Sequence, residues 1–238
     1  MAETKTTRRG ALGSMAALAA LSGVAARAEP AAGDAAHPVT TRLTPDEALA
    51  LLQAGNAEFL TDAPYRRADT RARRLEIAAA QAPFAVLVGC SDSRVSPELL
   101  FGRGLGELFI IRVAGNTVDL AALGSVEYAV SQLGVPLVVV LGHERCGAVA
   151  AALAVVETNA TFPGRIGDMV EPIIPAVLSA RGDEGILLHD AVVANVERVV
   201  LGLRQSSPLL QDAEEAGRLR IVGAVYDLDD GRVVFRVT

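Results

Sequence analysis

Short apolar runs alternate along the chain with longer amphipathic segments, and this alternation predicts the fold. Runs rich in Val, Ile and Leu predict buried strands at residues 84–88, 108–113, 137–141, 219–226 and 233–237. The segments between the first four runs have helical periodicity. Short strands separated by helices are typical of a mainly parallel sheet with helices on both faces.

Capping residues and periodicity predict where the helices lie. Thr44, Pro45 and Glu47 form a helix start, in which Thr44 is the N-cap and Glu47 completes a capping box. The amphipathic pattern that follows is expected to be interrupted at Gly55-Asn56. Further helices are predicted at residues 97–100, 120–133 and 190–204, and one more opens at residue 146.

A turn near the C-terminus decides the direction of the last strand. Asp229-Asp230-Gly231 has the composition of a hairpin turn, so the last strand is expected to run antiparallel to its neighbour. We therefore predict an α/β fold: a mainly parallel central sheet flanked by helices, with an antiparallel C-terminal strand or hairpin. Residues 43–238 are expected to form this fold as a single domain, since the sequence contains no internal repeat.

The composition of the 238-residue chain is that of a globular protein and argues against one class of partner. Hydrophobic residues make up 51% of the chain, which is enough for a substantial core. The net charge of -6 argues against binding to the phosphate backbone of nucleic acids. Five arginines lie between residues 66 and 74. They favour a solvated helix or an ion-paired interface over an anion-attracting rim.

The first 28 residues have the pattern of an export signal. The pair Arg8-Arg9 precedes an apolar, Ala-rich stretch at residues 15–26, and small residues then provide a cleavage site before Glu29. The stretch is too short for a permanent membrane span, and the arginine pair favours a twin-arginine signal over a general secretory one. We expect a periplasmic protein in which residues 29–42 form a linker. The alternative is a disordered leader of no consequence.

The two cysteines of the chain follow predicted strands, and a histidine lies close to the second. Cys90 comes after the run at 84–88, and His143 and Cys146 come after the run at 137–141. Open α/β sheets keep their sites at the carboxyl ends of such strands. Two thiols and one imidazole are also a ligand set that zinc accepts while a fourth position stays open for water. A disulfide between the two cysteines is the alternative, because exported proteins commonly contain one.

Two charged residues beside Cys90 would assist a zinc site. Asp92 would accept a hydrogen bond from zinc-bound water or hydroxide, and Arg94 would keep Asp92 ionised and fix its direction. Zinc hydroxide is a strong nucleophile towards a small electrophilic carbon. Taken alone, Asp92 and Arg94 would be an ordinary loop ion pair.

These motifs resemble those of a known enzyme family. Cys90-Ser91-Asp92-Ser93-Arg94, followed by His143-x-x-Cys146-Gly147, resembles the β-class carbonic anhydrases, and the segments 107–116, 125–130 and 223–227 extend the likeness. The resemblance covers the chain from about residue 43 to the C-terminus. It implies the reversible hydration of carbon dioxide to bicarbonate and a proton, with one Zn²⁺ per subunit bound by the two cysteines and the histidine.

The resemblance also implies an oligomer and a substrate pocket. Gln81 matches a family glutamine that contacts substrate from the neighbouring subunit, so a homodimer or a dimer of dimers is expected. Phe109 and Tyr128 match pocket positions, although packing alone would account for both side chains. Gly147 falls where a backbone amide follows the zinc cysteine.

The chain departs from some family members at an inhibitory bicarbonate site. Those members have a tryptophan where this chain has Leu87, and a Val-Pro-Ala run where it has Val95-Ser96-Pro97. We therefore expect an open zinc position and not one that bicarbonate switches to ligation by Asp92. Two alternatives to this function stay open. One keeps the fold and is a hydrolase of carbon disulfide or carbonyl sulfide. The other keeps the metal and is a non-catalytic exported zinc-binding protein. His37 and His189 are interpreted as ordinary surface residues.

Overall fold

The computed structural model describes residues 40–62, 69–182 and 185–236. A central sheet of five strands dominates these residues. The strands in chain order are β1 (Ala85–Gly89), β2 (Leu108–Arg112), β3 (Leu137–His143), β4 (Arg181–Gly182), β5 (Gly185–Ile186), β6 (Arg220–Tyr226) and β7 (Val233–Arg236). The central sheet has the order β2-β1-β3-β6-β7, while β4 and β5 form a separate short pair. The first four strands of that order are parallel, and β7 runs antiparallel to β6. The predicted fold class is confirmed.

Helices connect the strands and cover the sheet. They are α1 (Pro45–Phe59), α2 (Arg71–Glu76), α3 (Pro97–Leu100), α4 (Leu120–Leu133), α5 (Gly147–Thr158), α6 (Ile166–Val170), α7 (Ile174–Ser179), α8 (Leu188–Ser206) and α9 (Pro208–Glu215). The predicted helices at 97–100 and 120–133 have the predicted bounds. Within the described ranges, no helix is long and apolar enough to cross a membrane. The predicted export signal and most of the predicted linker lie outside the described residues.

The sheet has an apolar core on each face because side chains alternate along its strands. On one face, Val86 and Val88 of β1 pack with residues of α4, α5, α7, α8 and α9. On the other face, Ala85 and Leu87 pack with residues of α1 and α3. Both faces of the parallel strands are therefore buried, which explains why the strands appear in the sequence as continuous apolar runs.

Helix α1 begins as the sequence predicts. The Thr44 hydroxyl accepts a hydrogen bond from the Glu47 backbone N–H at 3.3 Å. In return, the Thr44 backbone N–H donates to the Glu47 carboxylate at 2.8 Å, which completes the capping box.

The predicted interruption of α1 at Gly55-Asn56 is wrong, because the helix runs unbroken to Phe59. A Cβ at Gly55 would overlap the carbonyl oxygen of Phe101, so glycine lets α1 approach the end of α3 closely. Asn56 is buried, and its Nδ2 donates to the carbonyl oxygen of Gly231 at 3.0 Å while its Oδ1 accepts from the Val233 N–H at 2.8 Å. Tertiary contacts therefore account for both residues.

We expect Gly55→Ala to lower the free energy of unfolding by about 1–3 kcal/mol, because the new methyl group has no room against the Phe101 backbone. Helix propensity alone would act in the opposite direction by about 1 kcal/mol. Gly202→Ala is the matched control, since a Cβ at Gly202 in α8 meets no atom within 4 Å. Urea unfolding followed by circular dichroism, at one fixed protein concentration, measures both. Equal stability of the two variants would contradict the packing argument.

Candidate metal centre

The three candidate ligands lie at the carboxyl edge of the sheet, where β1 and β3 are adjacent. Cys90 directly follows β1, His143 is the last residue of β3, and Cys146 is the N-cap of α5. Because β1 and β3 are parallel neighbours, their carboxyl ends meet at one edge. The sheet order therefore brings together two segments that are 53 or more positions apart in the sequence.

The ligand atoms of Cys90, His143 and Cys146 all lie within 4.8 Å of one another, and all three residues are buried. The two Sγ atoms are 4.0 Å apart, and both cysteines are free thiols. A disulfide requires a sulfur–sulfur bond of about 2.05 Å, so the alternative of a Cys90–Cys146 disulfide does not describe this structure.

His143 is oriented as a metal ligand would be. Its ring is fully buried, and Nδ1 lies 2.9 Å from the carbonyl oxygen of Glu144, to which it donates. This bond leaves Nε2 as an acceptor, and Nε2 has no hydrogen-bond partner among the described residues. An unpaired buried acceptor costs about 1–3 kcal/mol, which a bound cation would remove. The donor set, two thiols and one imidazole, is one that zinc accepts, so the site fits this metal.

A backbone amide and a buried asparagine support the first cysteine. The Gly115 N–H donates to Cys90 Sγ at 3.3 Å, and the Gly115 carbonyl accepts from Asn195 Nδ2 at 2.8 Å. The pKa of the Cys90 thiol is lowered, chiefly because the Cys146 thiol donates a hydrogen bond to it, with the Gly115 amide contributing. Asn195 is a site residue that was not predicted, although it is a polar residue on the apolar face of α8 and is buried there.

Asp92 and Arg94 form the predicted ion pair. Arg94 donates from Nε to Asp92 Oδ1 at 2.9 Å and from Nη2 to Oδ2 at 2.7 Å, and its backbone N–H also donates to Oδ1. The side-chain hydrogen bonds from Arg94 hold the pKa of the Asp92 carboxyl far below its usual range. Asp92 Oδ2 lies 3.9 Å from His143 Nε2, so the carboxylate borders the three ligands.

Arg112 is a further site residue that the sequence analysis did not single out. It is the last residue of β2, and it donates from Nε to the Cys90 carbonyl at 3.0 Å and from Nη2 to the Asp92 carbonyl at 2.6 Å. These two bonds fix the backbone between the first ligand and the carboxylate. The available signal was an arginine near the end of the predicted strand at 108–113, but its partners depend on the pairing of β2 with β1.

The structure places the predicted substrate-binding residues in different surroundings. The rings of Phe109 and Tyr128 are tilted against each other with centroids 6.4 Å apart, and Tyr128 is 49% exposed. Gly147 is exposed as the first residue of α5. Gln81 lies on the surface, and no polar contact among the described residues joins it to the three ligands. His189 is also exposed, and its Nδ1 lies 3.6 Å from the Glu144 carboxylate.

Comparison with known proteins identifies the relatives of the chain. Residues 85–233 match the family described as carbonic anhydrase. Carbonic anhydrase 2 of Mycobacterium tuberculosis (strain CDC 1551 / Oshkosh) is 43% identical over 185 residues, which cover 78% of this chain and 89% of the relative.

Two solved structures share the fold and the family name. The β-carbonic anhydrase CafA of Aspergillus fumigatus aligns with a TM-score of 0.63 and 27% identity, over 79% of this chain and 90% of that one. A tetrameric β-carbonic anhydrase of Sordaria macrospora aligns with a TM-score of 0.60 and 28% identity, over 68% and 84% of the two chains. Together with the buried Cys90, His143 and Cys146, these matches show that the chain belongs to the β-class carbonic anhydrase family.

Proposed function

We propose that the protein catalyses the reversible hydration of carbon dioxide to bicarbonate and a proton, with one Zn²⁺ per subunit held by Cys90, His143 and Cys146. The observation that carries this proposal is the buried ligand set, with an unpaired His143 Nε2, beside the Asp92–Arg94 pair. When bound, zinc lowers the pKa of a coordinated water and so supplies a nucleophile near neutral pH.

Asp92 and Arg94 form the proposed dyad that orients this nucleophile. Because Arg94 keeps Asp92 ionised, the carboxylate acts only as a hydrogen-bond acceptor. Asp92 Oδ2 borders the ligands at 3.9 Å from His143 Nε2, so it is placed to accept the O–H of the nucleophile. By accepting this proton at Oδ2, Asp92 would fix the orientation of the nucleophile that the zinc site would supply. A purely structural zinc site would need neither residue.

The test measures carbon dioxide hydration by stopped flow together with zinc content. We expect Asp92→Asn to keep stoichiometric zinc but to lose activity by about 10²-fold or more, because the neutral amide no longer orients the nucleophile as an obligate acceptor. Cys146→Ser should lose both zinc and activity, because one of the three ligands is gone.

Asp212→Asn is the matched control for the carboxylate change, since Asp212 is an exposed residue of α9. It should behave as wild type. A wild-type protein with stoichiometric zinc and no hydration activity would overturn the catalytic proposal. Activity that survives Cys146→Ser would overturn the ligand set.

The proposed substrate pocket includes a second subunit. Gln81 of the partner subunit would contact carbon dioxide or bicarbonate beside Phe109, Tyr128 and the Gly147 amide. The exposure of Gln81 and Tyr128 in the isolated chain and the tetrameric relative from Sordaria macrospora support a homodimer or a dimer of dimers. Light scattering on the active enzyme tests this assembly, and a strictly monomeric active protein would contradict the role of Gln81.

We further propose that the fourth zinc position stays open. Two observations support this: Leu87, at the position of the tryptophan in bicarbonate-switched relatives, is buried in the core under α1 and α3, and Arg94 holds both carboxylate oxygens of Asp92. We expect bicarbonate to leave the activity unaffected apart from ordinary product inhibition. Hydration rates measured across mildly acidic pH, with and without added bicarbonate, check this. A cooperative, bicarbonate-dependent loss of activity would contradict it.

The proposed location is the periplasm, with residues 1–28 removed on export. The support is the sequence pattern of Arg8-Arg9, the apolar stretch and the small-residue cleavage site. Mass spectrometry of the protein recovered from the periplasm should find a chain that begins at Glu29. Recovery of the intact N-terminus in the cytoplasm alone would contradict this location.

A further inference from the structure

The loop between the candidate ligands His143 and Cys146 has an unfavourable backbone conformation. Only Glu144 and Arg145 separate His143 from Cys146, and Arg145 has a φ of 51°. Residues other than Gly, Asn and Asp rarely adopt this left-handed region, because Cβ crowds the backbone there. The Glu144 N–H donates to the Tyr226 carbonyl at 2.9 Å, which fixes the start of the loop to β6. Arg145 needs a contact of its own to stay in this conformation.

The side chain of Arg145 makes that contact with the hairpin turn between β6 and β7. Its Nη1 donates to Asp229 Oδ2 and its Nη2 to Asp229 Oδ1, both at 2.7 Å. This two-bond geometry fixes direction as well as distance, because the planar guanidinium matches the carboxylate. The hydrogen bonds from Arg145 lower the pKa of the Asp229 carboxyl. Asp229 is therefore ionised at neutral pH, as the contact requires.

The turn that carries Asp229 is itself held in place. Asp227 Oδ1 accepts from the backbone N–H of Asp229 at 2.7 Å and of Asp230 at 3.2 Å. The Gly231 N–H donates to the Asp227 carbonyl at 3.1 Å, and the Gly231 carbonyl accepts from the buried Asn56 of α1. Asp229 thus presents its carboxylate from a turn with internal hydrogen bonds and an anchor in the core.

The backbone of Arg145 also touches the ion pair that borders the metal ligands. Arg94 Nη2, which holds Asp92 Oδ2 at 2.7 Å, lies 3.5 Å from the Arg145 carbonyl. A shift of the loop would therefore move a contact of Arg94 as well as the spacing of the ligands. Arg145 also pairs with two members of a carboxylate cluster: its Nη1 lies 3.8 Å from Glu144 Oε2 and 2.7 Å from Asp229 Oδ2, and Asp227 is the third member.

We propose that Asp229 is a positioning residue for the metal centre, acting through its two hydrogen bonds to Arg145. It holds the Glu144–Arg145 loop in the conformation that presents His143 and Cys146 together and keeps the Arg145 carbonyl beside Arg94. The effect on turnover rests on the proposed carbon dioxide hydration. The effect on metal retention does not, because it follows from the geometry of the ligands alone.

The experiment compares the wild-type zinc enzyme with Asp229→Asn in three measurements. We expect the rate of zinc release to a chelator to rise three- to tenfold and kcat to fall three- to tenfold, because the loop loses its charged anchor. The melting temperature should fall by no more than about 4 °C, the effect of tenfold weaker zinc binding, because an exposed ion pair itself contributes little to global stability. A purely structural role would move the melting temperature and leave the other two measurements unchanged.

Two further variants make the test specific. Arg145→Asn removes the same contact, and asparagine tolerates the positive φ at this position. Because both substitutions remove one shared contact, the double variant Arg145→Asn/Asp229→Asn should release zinc no faster than Arg145→Asn alone. Asp168→Asn is the matched control, because it removes an exposed ion pair of the same 2.7 Å length, between Asp168 of α6 and the N-cap residue Arg165. It should release zinc at the wild-type rate.

The results separate the positioning role of Asp229 from the proposed function. Wild-type zinc release and kcat in Asp229→Asn, or additive effects in the double variant, would overturn the positioning role. A wild-type enzyme that retains zinc but does not hydrate carbon dioxide would overturn the proposed function instead, and the zinc-release rates would still decide the role of Asp229.

Discussion

The structure depends on the burial of two thiols and one imidazole at a single point on the edge of the sheet. Polar groups removed from water need partners, and ionised ones need a counter-charge. His143 Nε2 lacks a partner in the described protein, and two thiolates would add two negative charges beside it. A divalent cation satisfies all three atoms and brings the net charge of the cluster to zero. Because the ligands follow two different strands, such a cation would also link the end of β1 to the start of α5. Metal binding and folding are therefore expected to be coupled.

Parallel pairing makes this burial possible. In a parallel sheet all strands end at the same edge, so β1 and β3 deliver Cys90 and His143 to one place without a long excursion of the chain. The next turn of backbone then adds Cys146 at the N-terminus of α5. The helices bury both faces of the strands beneath the site.

The ligands are held mainly by contacts to backbone groups. Arg112 binds two carbonyls of the first ligand loop, the Gly115 amide binds Cys90, and Asn195 binds the Gly115 carbonyl. The bonds from Arg112 and Asn195 restrict where the backbone near the ligands can lie, while the Gly115 N–H donates to the Cys90 sulfur itself. Fixing the backbone in this way keeps the three candidate ligands close together.

Local patterns in the sequence predict much of the fold without any knowledge of tertiary contacts. The apolar runs identified the strands, Thr44 and Glu47 located the start of α1, and residue types and spacing marked two cysteines and one histidine as candidate zinc ligands beside the Asp92–Arg94 pair. Helices α6 and α7 were not predicted, since five and six residues are too few to show a period, although the four-residue α3 was predicted correctly. Helix α9 could have been found, because Ser207-Pro208 is an N-cap followed by proline at the first helical position.

The supporting contacts could not be found in this way, and the reason is physical. Asn195 is 80 positions from Gly115, Arg145 is 84 positions from Asp229, and Asn56 is 175 positions from Gly231. Each of these hydrogen bonds exists only because helices and turns pack on the sheet in one arrangement, and local propensity carries no information about that arrangement. Gly55 shows the same limit, since its place inside a helix depends on the Phe101 backbone across the core. The sequence by itself determined which atoms can bind the metal, and the tertiary structure decided what holds those atoms in place.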